Sequence, residues 1–420
     1  MTDSSYLSTI RERVVVFDGA SGTWLQGHDL GPDDFGGDAL EGCNEILCDT
    51  RPELITQMHR EYLEAGADAI ETNSFGAFGV PLREYDIADR AHELSLKAAQ
   101  LARAAADEFS TDERPRWVGG SMGPGTQFAT LGNISYEDLR ASYFQSALGL
   151  LEGGIDLYVI ETQFDLLGAK AAMTACRDAM AEVGREVPIQ VQVTIELTGR
   201  MLPGTEIAAA LVALDPMRPD VIGINCATGP VEMAEHVRHL AQTTPACPSS
   251  SCPTPACPRS STARCTTTSP PSSSSSTRPA SSRSWASASS AAAAAPRPST
   301  SAVWPRRSEP GPKVDWKEGE FEHGATSIYS LVPFEQDTSF MIIGERTNAN
   351  GSKRFREALL EGDWDTCVKM AKDQVKEGAH VLDVCVDYVG RDGVADMDEI
   401  ASASPPSPPH RWCWTRPSPR

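Results

Sequence analysis

Four short apolar runs in this chain end on residues that can bind or react. Val14-Val15-Val16-Phe17 runs into Asp18-Gly19-Ala20-Ser21-Gly22-Thr23, and Ala67-Asp68-Ala69-Ile70 into Glu71-Thr72-Asn73. Ile155 to Ile160 closes on Glu161-Thr162-Gln163, and Val221 to Ile224 on Asn225-Cys226. Carboxylates accept hydrogen bonds from cationic donors, and a thiol becomes a nucleophile or soft metal ligand once ionised. Each residue also has an ordinary reading. A lone Cys226 is more often a small buried hydrophobe, Glu161 could be an exposed strand-end acid, and Glu71-Thr72-Asn73 could simply cap a strand. The repetition of polar groups at one end of successive runs favours a common site.

The elements that carry these residues repeat as helix, glycine, then buried strand. Pro52 suits a first helical turn, and Leu54, Ile55, Met58, Tyr62 and Leu63 recur at helical spacing up to Gly66. Gly66 can end that helix in a left-handed turn before the strand at 67–70. A second copy runs from Ser135, a capping residue, through a helix over about Tyr136 to Glu152 and Gly153-Gly154. A third, Glu377-Gly378-Ala379-His380-Val381-Leu382-Asp383, lies far downstream. Further runs are Trp117-Val118 before Gly119-Gly120, and Ile189 to Ile195. Strands without clean alternation, separated by helices, predict a parallel sheet covered on both faces. Six such strands precede residue 230, and the first glycine cluster is not a GxGxxG dinucleotide loop. The expected fold class is therefore α/β, a (β/α)8 TIM barrel with its active site at the strand C-termini, rather than a Rossmann domain.

Composition narrows the partners. The 420 residues leave room for two or three domains, and the formal charge of −21 with a pI near 4.8 argues against nucleic acid, for which no basic stripe exists. No stretch of ~18 apolar residues is present, so no membrane span is expected. The N-terminus lacks a basic segment followed by an apolar one, so no secretion signal is expected. Of eleven cysteines, Cys247, Cys252, Cys257, Cys265 and Cys413 fall in anomalous stretches. The sparse remainder suits a reducing, cytoplasmic setting.

The anomaly is abrupt. From Gln242 to Ala302 there is no Val, Ile, Leu, Met, Phe, Asp, Glu, Gly, Asn or Lys. As written, such a stretch cannot bury enough apolar surface to offset its ordering entropy, and it is expected to lack stable structure. A natural Ser/Pro linker is one reading. A slipped coding frame is the other. If each codon is rebuilt from the last base of one codon and the first two of the next, Cys247 to Pro258 permits Val-Pro-Val-Ile-Val-Leu-Pro-Asn-Ala-Gly-Leu-Pro. The stretch from Trp285 to Thr300 permits a run containing Val-Ser-Ile-Val-Gly-Gly-Cys-Cys-Gly-Thr. These would be strands seven and eight. At the C-terminal tail, Trp412-Cys413-Trp414-Thr415 forces Val-Leu-Asp, because tryptophan has one codon and both cysteine codons yield leucine. We read residues 243–302 and 401–420 as out of frame.

The motifs Asp18-Gly19-Ala20-Ser21-Gly22-Thr23, Glu161-Thr162-Gln163 and Gly223-Ile224-Asn225-Cys226 resemble, in order and spacing, those of homocysteine S-methyltransferase domains. The out-of-frame Gly-Gly-Cys-Cys-Gly-Thr completes the set. The resemblance implies that Cys226 and that vicinal pair hold zinc, which binds the substrate thiol as a thiolate. It also implies that Asp18 and Glu161 hold the amino group of homocysteine, with weaker substrate contacts from Gly22, Thr23, Thr162 and Asn225. Cys43 and Cys48 are not at metal-ligand spacing and are expected to be structural.

From about Ser339 a second domain begins: Phe340 to Asn348 is a strand entering a polar loop, followed by a helix around Trp364 to Lys376 and the strand Val381 to Asp387. It looks like the start of a pterin-binding barrel of the methyltetrahydrofolate methyltransferase type. Glu345, Asn348, Asp383 and Asp387 are the candidates there, since carboxylates and amides suit the paired donors and acceptors of a pterin edge. For Asp383 a buried strand acid held by backbone donors is an equal alternative.

The expected organisation is a homocysteine-binding barrel over 1–242, the shifted segment at 243–302, a linker at 303–338, the start of the pterin-binding domain at 339–400 and the shifted tail. This order resembles the N-terminal part of the cobalamin-dependent methionine synthase family. The implied reaction carries a methyl group from 5-methyltetrahydrofolate through cobalamin to homocysteine, the cobalamin module lying outside this chain. As written, with one of three zinc thiols legible, the chain is expected to be inactive. The rivals are a stand-alone homocysteine methyltransferase using betaine or S-methylmethionine, and a non-catalytic remnant.

Overall fold

The computed structural model of the chain describes residues 4–243, 322–336, 340–403 and 412–414. The out-of-frame segment at 243–302 thus lies, but for its first residue, outside the described residues, as do most of the linker and the tail. The chain divides into two compact units, Met1–Pro203 with Leu214–Phe321, and Gly204–Ala213 with Glu322–Arg420.

The first unit is built on five parallel strands: β1 (Ala69–Glu71), β2 (Trp117–Met122), β3 (Leu157–Gln163), β4 (Ile189–Val193) and β5 (Val221–Ile224). They are hydrogen-bonded in the order β1-β2-β3-β4-β5, with no reversal. A doubly wound sheet would reverse at a switch point. The Val14–Phe17 run flanks β1 through a parallel bridge between Phe17 and Ala69, and the Asp18 amide donates to the Ala69 carbonyl at 3.0 Å. Every residue of these five strands is buried except Thr162, which is half-buried. Burial of both faces accounts for the apolar runs.

The helices form where local chemistry favours them. The helix Pro52–Ala65 has proline in its first turn, buries Leu54, Ile55, Met58 and Leu63, and ends at Gly66 with φ +110°, which glycine adopts without a Cβ penalty. The Ser135 hydroxyl accepts from the Asp138 amide at 3.0 Å and caps the helix Tyr136–Glu152. That helix packs closely on Ala91–Phe109: a Cβ added at Gly153 would sit 2.5 Å from Ala99 Cβ, and one at Gly149 2.4 Å from the His92 carbonyl oxygen. At the N-terminus, the helix Ser5–Glu12 lays Tyr6, Leu7 and Ile10 in one buried cluster with Ala69, Trp117, Leu157, Val159 and Val221. Both outer strands of the sheet therefore contribute to a single core, and the Tyr6 hydroxyl reaches Gln190 of β4 at 2.7 Å.

The second unit holds an antiparallel hairpin of β6 (Gly324–Thr326) and β7 (Leu331–Pro333), and a parallel sheet of β8 (Ile343–Asn348), β9 (Val381–Cys385) and β10 (Trp412–Trp414) in the order β10-β9-β8. β10 is the stretch where the shifted frame reads Val-Leu-Asp, and its backbone pairs with β9 at Cys413 opposite Asp383. The helices Lys353–Glu361, Trp364–Lys376 and Gly393–Ala403 bury Phe355, Leu359, Met370, Ala371 and Ile400 against Leu382 and Val384. The Asp363 side chain caps the second of them through the Thr366 amide at 3.1 Å.

Candidate substrate site at the strand ends

At the C-terminal ends of the parallel strands, Asp18, Glu71 and Glu161 retain only 5%, 9% and 7% of their exposure. The Glu71 amide donates to Asp18 Oδ2 at 3.0 Å. Glu161 is held on both oxygens: the Ser121 hydroxyl donates to Oε1 at 2.6 Å and the Asn225 amide to Oε2 at 3.0 Å. Asp18 Oδ1 and Glu71 Oε1 are buried with no hydrogen-bond partner. Burial pushes Asp18 and Glu71 well above the usual carboxylate range, reinforced by the Glu161 charge and, for Glu71, that of Asp18. Burial likewise raises Glu161 to about 7 against the two hydrogen bonds that favour its charged form.

The opposite ends of the strands show what a compensated buried acid looks like here. Asp68, 2% exposed, has Arg13 at 2.8 Å, Arg114 at 3.4 Å and Arg116 at 3.6 Å. Among the described residues no Lys, Arg or His plays that part for Asp18, Glu71 or Glu161. Burying like charges without a counter-ion is costly, so the arrangement is completed by a bound cation or by protons.

Asn225 links this acidic pocket to the thiol. Its side chain donates to Glu161 and to the Thr162 hydroxyl at 3.1 Å, and accepts from the Thr162 amide at 2.8 Å. The Thr162 hydroxyl lies 3.4 Å from Cys226 Sγ. Thr162, Cys226 and Ala227 all have left-handed backbone, at φ +57°, +60° and +57°, a costly state for residues with a Cβ. The Asn225 bonds help hold two of these turns in register. Burial raises the Cys226 thiol to about 11, helped by the charges of Glu161 and Glu71 and opposed by Thr162.

The cluster thus unites Asp18, Glu161, Thr162, Asn225 and Cys226. Gly22 and Thr23 instead lie in the short helix Ser21–Leu25, where Thr23 is exposed. Cys43 and Cys48 are buried, Cys48 donating to the Asn73 carbonyl at 3.5 Å. Ser121 was not anticipated, because β2 continues past Gly119-Gly120 to Met122 and carries it into the layer of Glu161. Its signal is its place three residues beyond the apolar run, after Gly119-Gly120, in phase with the other strand-end polar groups.

The zinc expectation meets no ligand set here. Among the described residues no three His, Cys, Asp or Glu side chains are placed to hold a metal ion. Among the described residues Cys226 has the Thr162 hydroxyl for a neighbour rather than a second thiol. The vicinal cysteines belong to the shifted reading, outside the described residues.

In the second unit the Asn348 side-chain amide donates to Asp383 Oδ2 at 2.9 Å, and the Thr347 hydroxyl donates to the Asp383 carbonyl at 2.6 Å. Asn350 donates to the Asp387 carbonyl at 3.1 Å. Glu345 is exposed on β8.

Comparison with known proteins gives matches to two families. Residues 344–403 match the pterin-binding enzyme family. The chain is 46% identical over 404 residues to the methionine synthase of Mycobacterium tuberculosis (strain ATCC 25618 / H37Rv), covering 95% of this chain and 33% of that protein. It is 44% identical over 403 residues to the methionine synthase of Mycobacterium leprae (strain TN), with the same coverage. The chain therefore spans about a third of the length of these curated relatives. The metallated homocysteine methyltransferase MmuM from Escherichia coli aligns at 21% identity and TM-score 0.47, covering 56% of this chain and 81% of that one. Residues 15–294, well over half of the sequence, match the homocysteine S-methyltransferase family, and the chain belongs to that family.

Proposed function

We propose that this chain is the substrate-handling N-terminal part of a methionine synthase, a methyltransferase whose first unit seats homocysteine and whose second begins the site for 5-methyltetrahydrofolate. The observation that carries this reading is the uncompensated pocket of buried acids joined through Asn225 to a thiol at the end of β5. An α-ammonium supplies the missing positive charge, and an amino acid held there by its ammonium can extend its own thiol toward Cys226. The consecutive strand order and the core shared by the outer strands support a barrel, with the site at the C-terminal mouth where such folds bind ligands. Near the second site, Asn348 and Asp383 form the hydrogen-bonded pair suited to a pterin edge, with Glu345 and Asp387 as further contacts.

Because the described residues do not fit a zinc site, the chain as written binds homocysteine without activating it. Cobalamin, the methyl carrier implied by the family, has no assigned residue here. The match to pterin-binding enzymes disfavours a stand-alone methyltransferase using betaine or S-methylmethionine. Isothermal titration of the chain with L-homocysteine tests the reading. Saturable binding is expected, weakened about 10-fold or more by Asp18→Asn or Glu161→Gln, since each removes a charge-assisted hydrogen bond. No binding by the folded chain, or equal binding by both variants, would overturn it.

A further inference from the structure

Of the three acids in the pocket, sequence motifs single out only Asp18 and Glu161; Glu71 reads equally well as a strand cap. Its surroundings point elsewhere. Glu71 ends β1 between the other two acids in the fold, with its amide spent on Asp18 and its Cγ 3.7 Å from the Cβ position of Gly119. A capping side chain would accept from a nearby backbone amide. Glu71 Oε1 instead is buried with no donor, as is Asp18 Oδ1.

We infer that Glu71 is the third wall of the ammonium pocket and a specificity-determining residue that makes the site select thiols bearing a free α-ammonium group. This rests on the homocysteine reading above. A primary ammonium has three N–H donors and a single charge. Asp18 Oδ1 and Glu71 Oε1 offer two unused acceptors, and Glu161, fixed by Ser121 and Asn225, offers a third carboxylate. A hard divalent cation is the competing occupant for a cluster of acids, but it needs six to eight converging oxygens. Among the described residues no three acids converge closely enough for a metal. Separate acceptors suit a small organic cation, which can bring one N–H donor to each.

The test compares L-homocysteine with 4-mercaptobutanoate, the same molecule without its amino group, by calorimetric titration of the wild-type chain and Glu71→Gln, alongside the thermal midpoint of each without ligand. Wild type should prefer homocysteine, and Glu71→Gln should weaken homocysteine about 10- to 100-fold while leaving 4-mercaptobutanoate unchanged. The unliganded variant should melt no lower than wild type, since Glu71 Oε1 has no hydrogen bond to lose. A structural cap would do the reverse, lowering the midpoint and sparing the preference, and that result would overturn the inference. Should Glu71→Gln not fold, Glu71→Asp decides: the shortened acid should keep the preference with reduced homocysteine affinity, and unchanged affinity would sink the idea. If wild type binds homocysteine but Glu71→Gln leaves the preference unaltered, Glu71 alone is misassigned. If wild type binds no homocysteine, the functional reading itself fails.

Discussion

At the residue scale, the main determinant is the environment of the acids. Glu161 ionises near 4.5 in an unfolded chain and about 7 in the native pocket, chiefly because of burial. Between those values the native state holds a proton that the unfolded state has released. The contribution of this group to stability is therefore fullest below pH 4.5, falls as the pH rises to about 7, and levels off beyond. Glu161→Gln cannot ionise, so its urea midpoint should decline less than that of wild type between pH 5 and pH 8. An equal decline in both proteins would place the titration elsewhere. The same logic accounts for the Cys226 thiol: burial first, and then the neighbouring Glu161 and Glu71 carboxyls, oppose its ionisation.

At the scale of elements, close helix packing sets limits that helix propensity does not show. Gly149 lies inside the helix Tyr136–Glu152, where propensity alone favours alanine over glycine by about 1 kcal/mol. The added Cβ would meet the His92 carbonyl at 2.4 Å and the Leu96 amide nitrogen at 3.0 Å, backbone atoms that cannot swing aside. Gly149→Ala should therefore destabilise the first unit by about 2 kcal/mol or more, read as a lower chemical-denaturation midpoint. A neutral or stabilising result would mean that the two helices sit farther apart than described. The consequence reaches the site, since these helices cover β2, which brings Ser121 to Glu161.

At the scale of the molecule, family membership and catalytic competence separate. Among the described residues the first unit presents one cysteine, Cys226, at the candidate site, and the residues where the family's vicinal pair would stand read Ala291 to Ala295. A thiolate site needs its full set of ligands to retain zinc. Dialysed against a mild chelator, the chain should keep far less than one equivalent of zinc, measured by atomic absorption. The frame-restored chain should keep about one, and Cys226→Ser in that background should lose it. Stoichiometric zinc held through Cys226 in the chain as written would contradict the out-of-frame reading.

The sequence by itself determined the features that depend on neighbours along the chain. Pro52, Gly66 and Ser135 bound their helices as read, because capping and left-handed turns are settled within a few residues. The rhythm of buried strands closing on polar residues, and Cys226 after β5, were legible for the same reason. Only the tertiary structure decided which of those polar residues form one site. Asn225 lies 64 positions from Glu161, and Ser121 lies 40 from it, so no local pattern shows that they bond. Nor could it show that Thr23, in the same motif as Asp18, is exposed, or that Glu71 Oε1 is buried without a donor. The strand order, too, emerges only when the sheet assembles. Local rules set elements and their ends; whether an acid is paired, orphaned or solvated depends on what the rest of the fold places beside it.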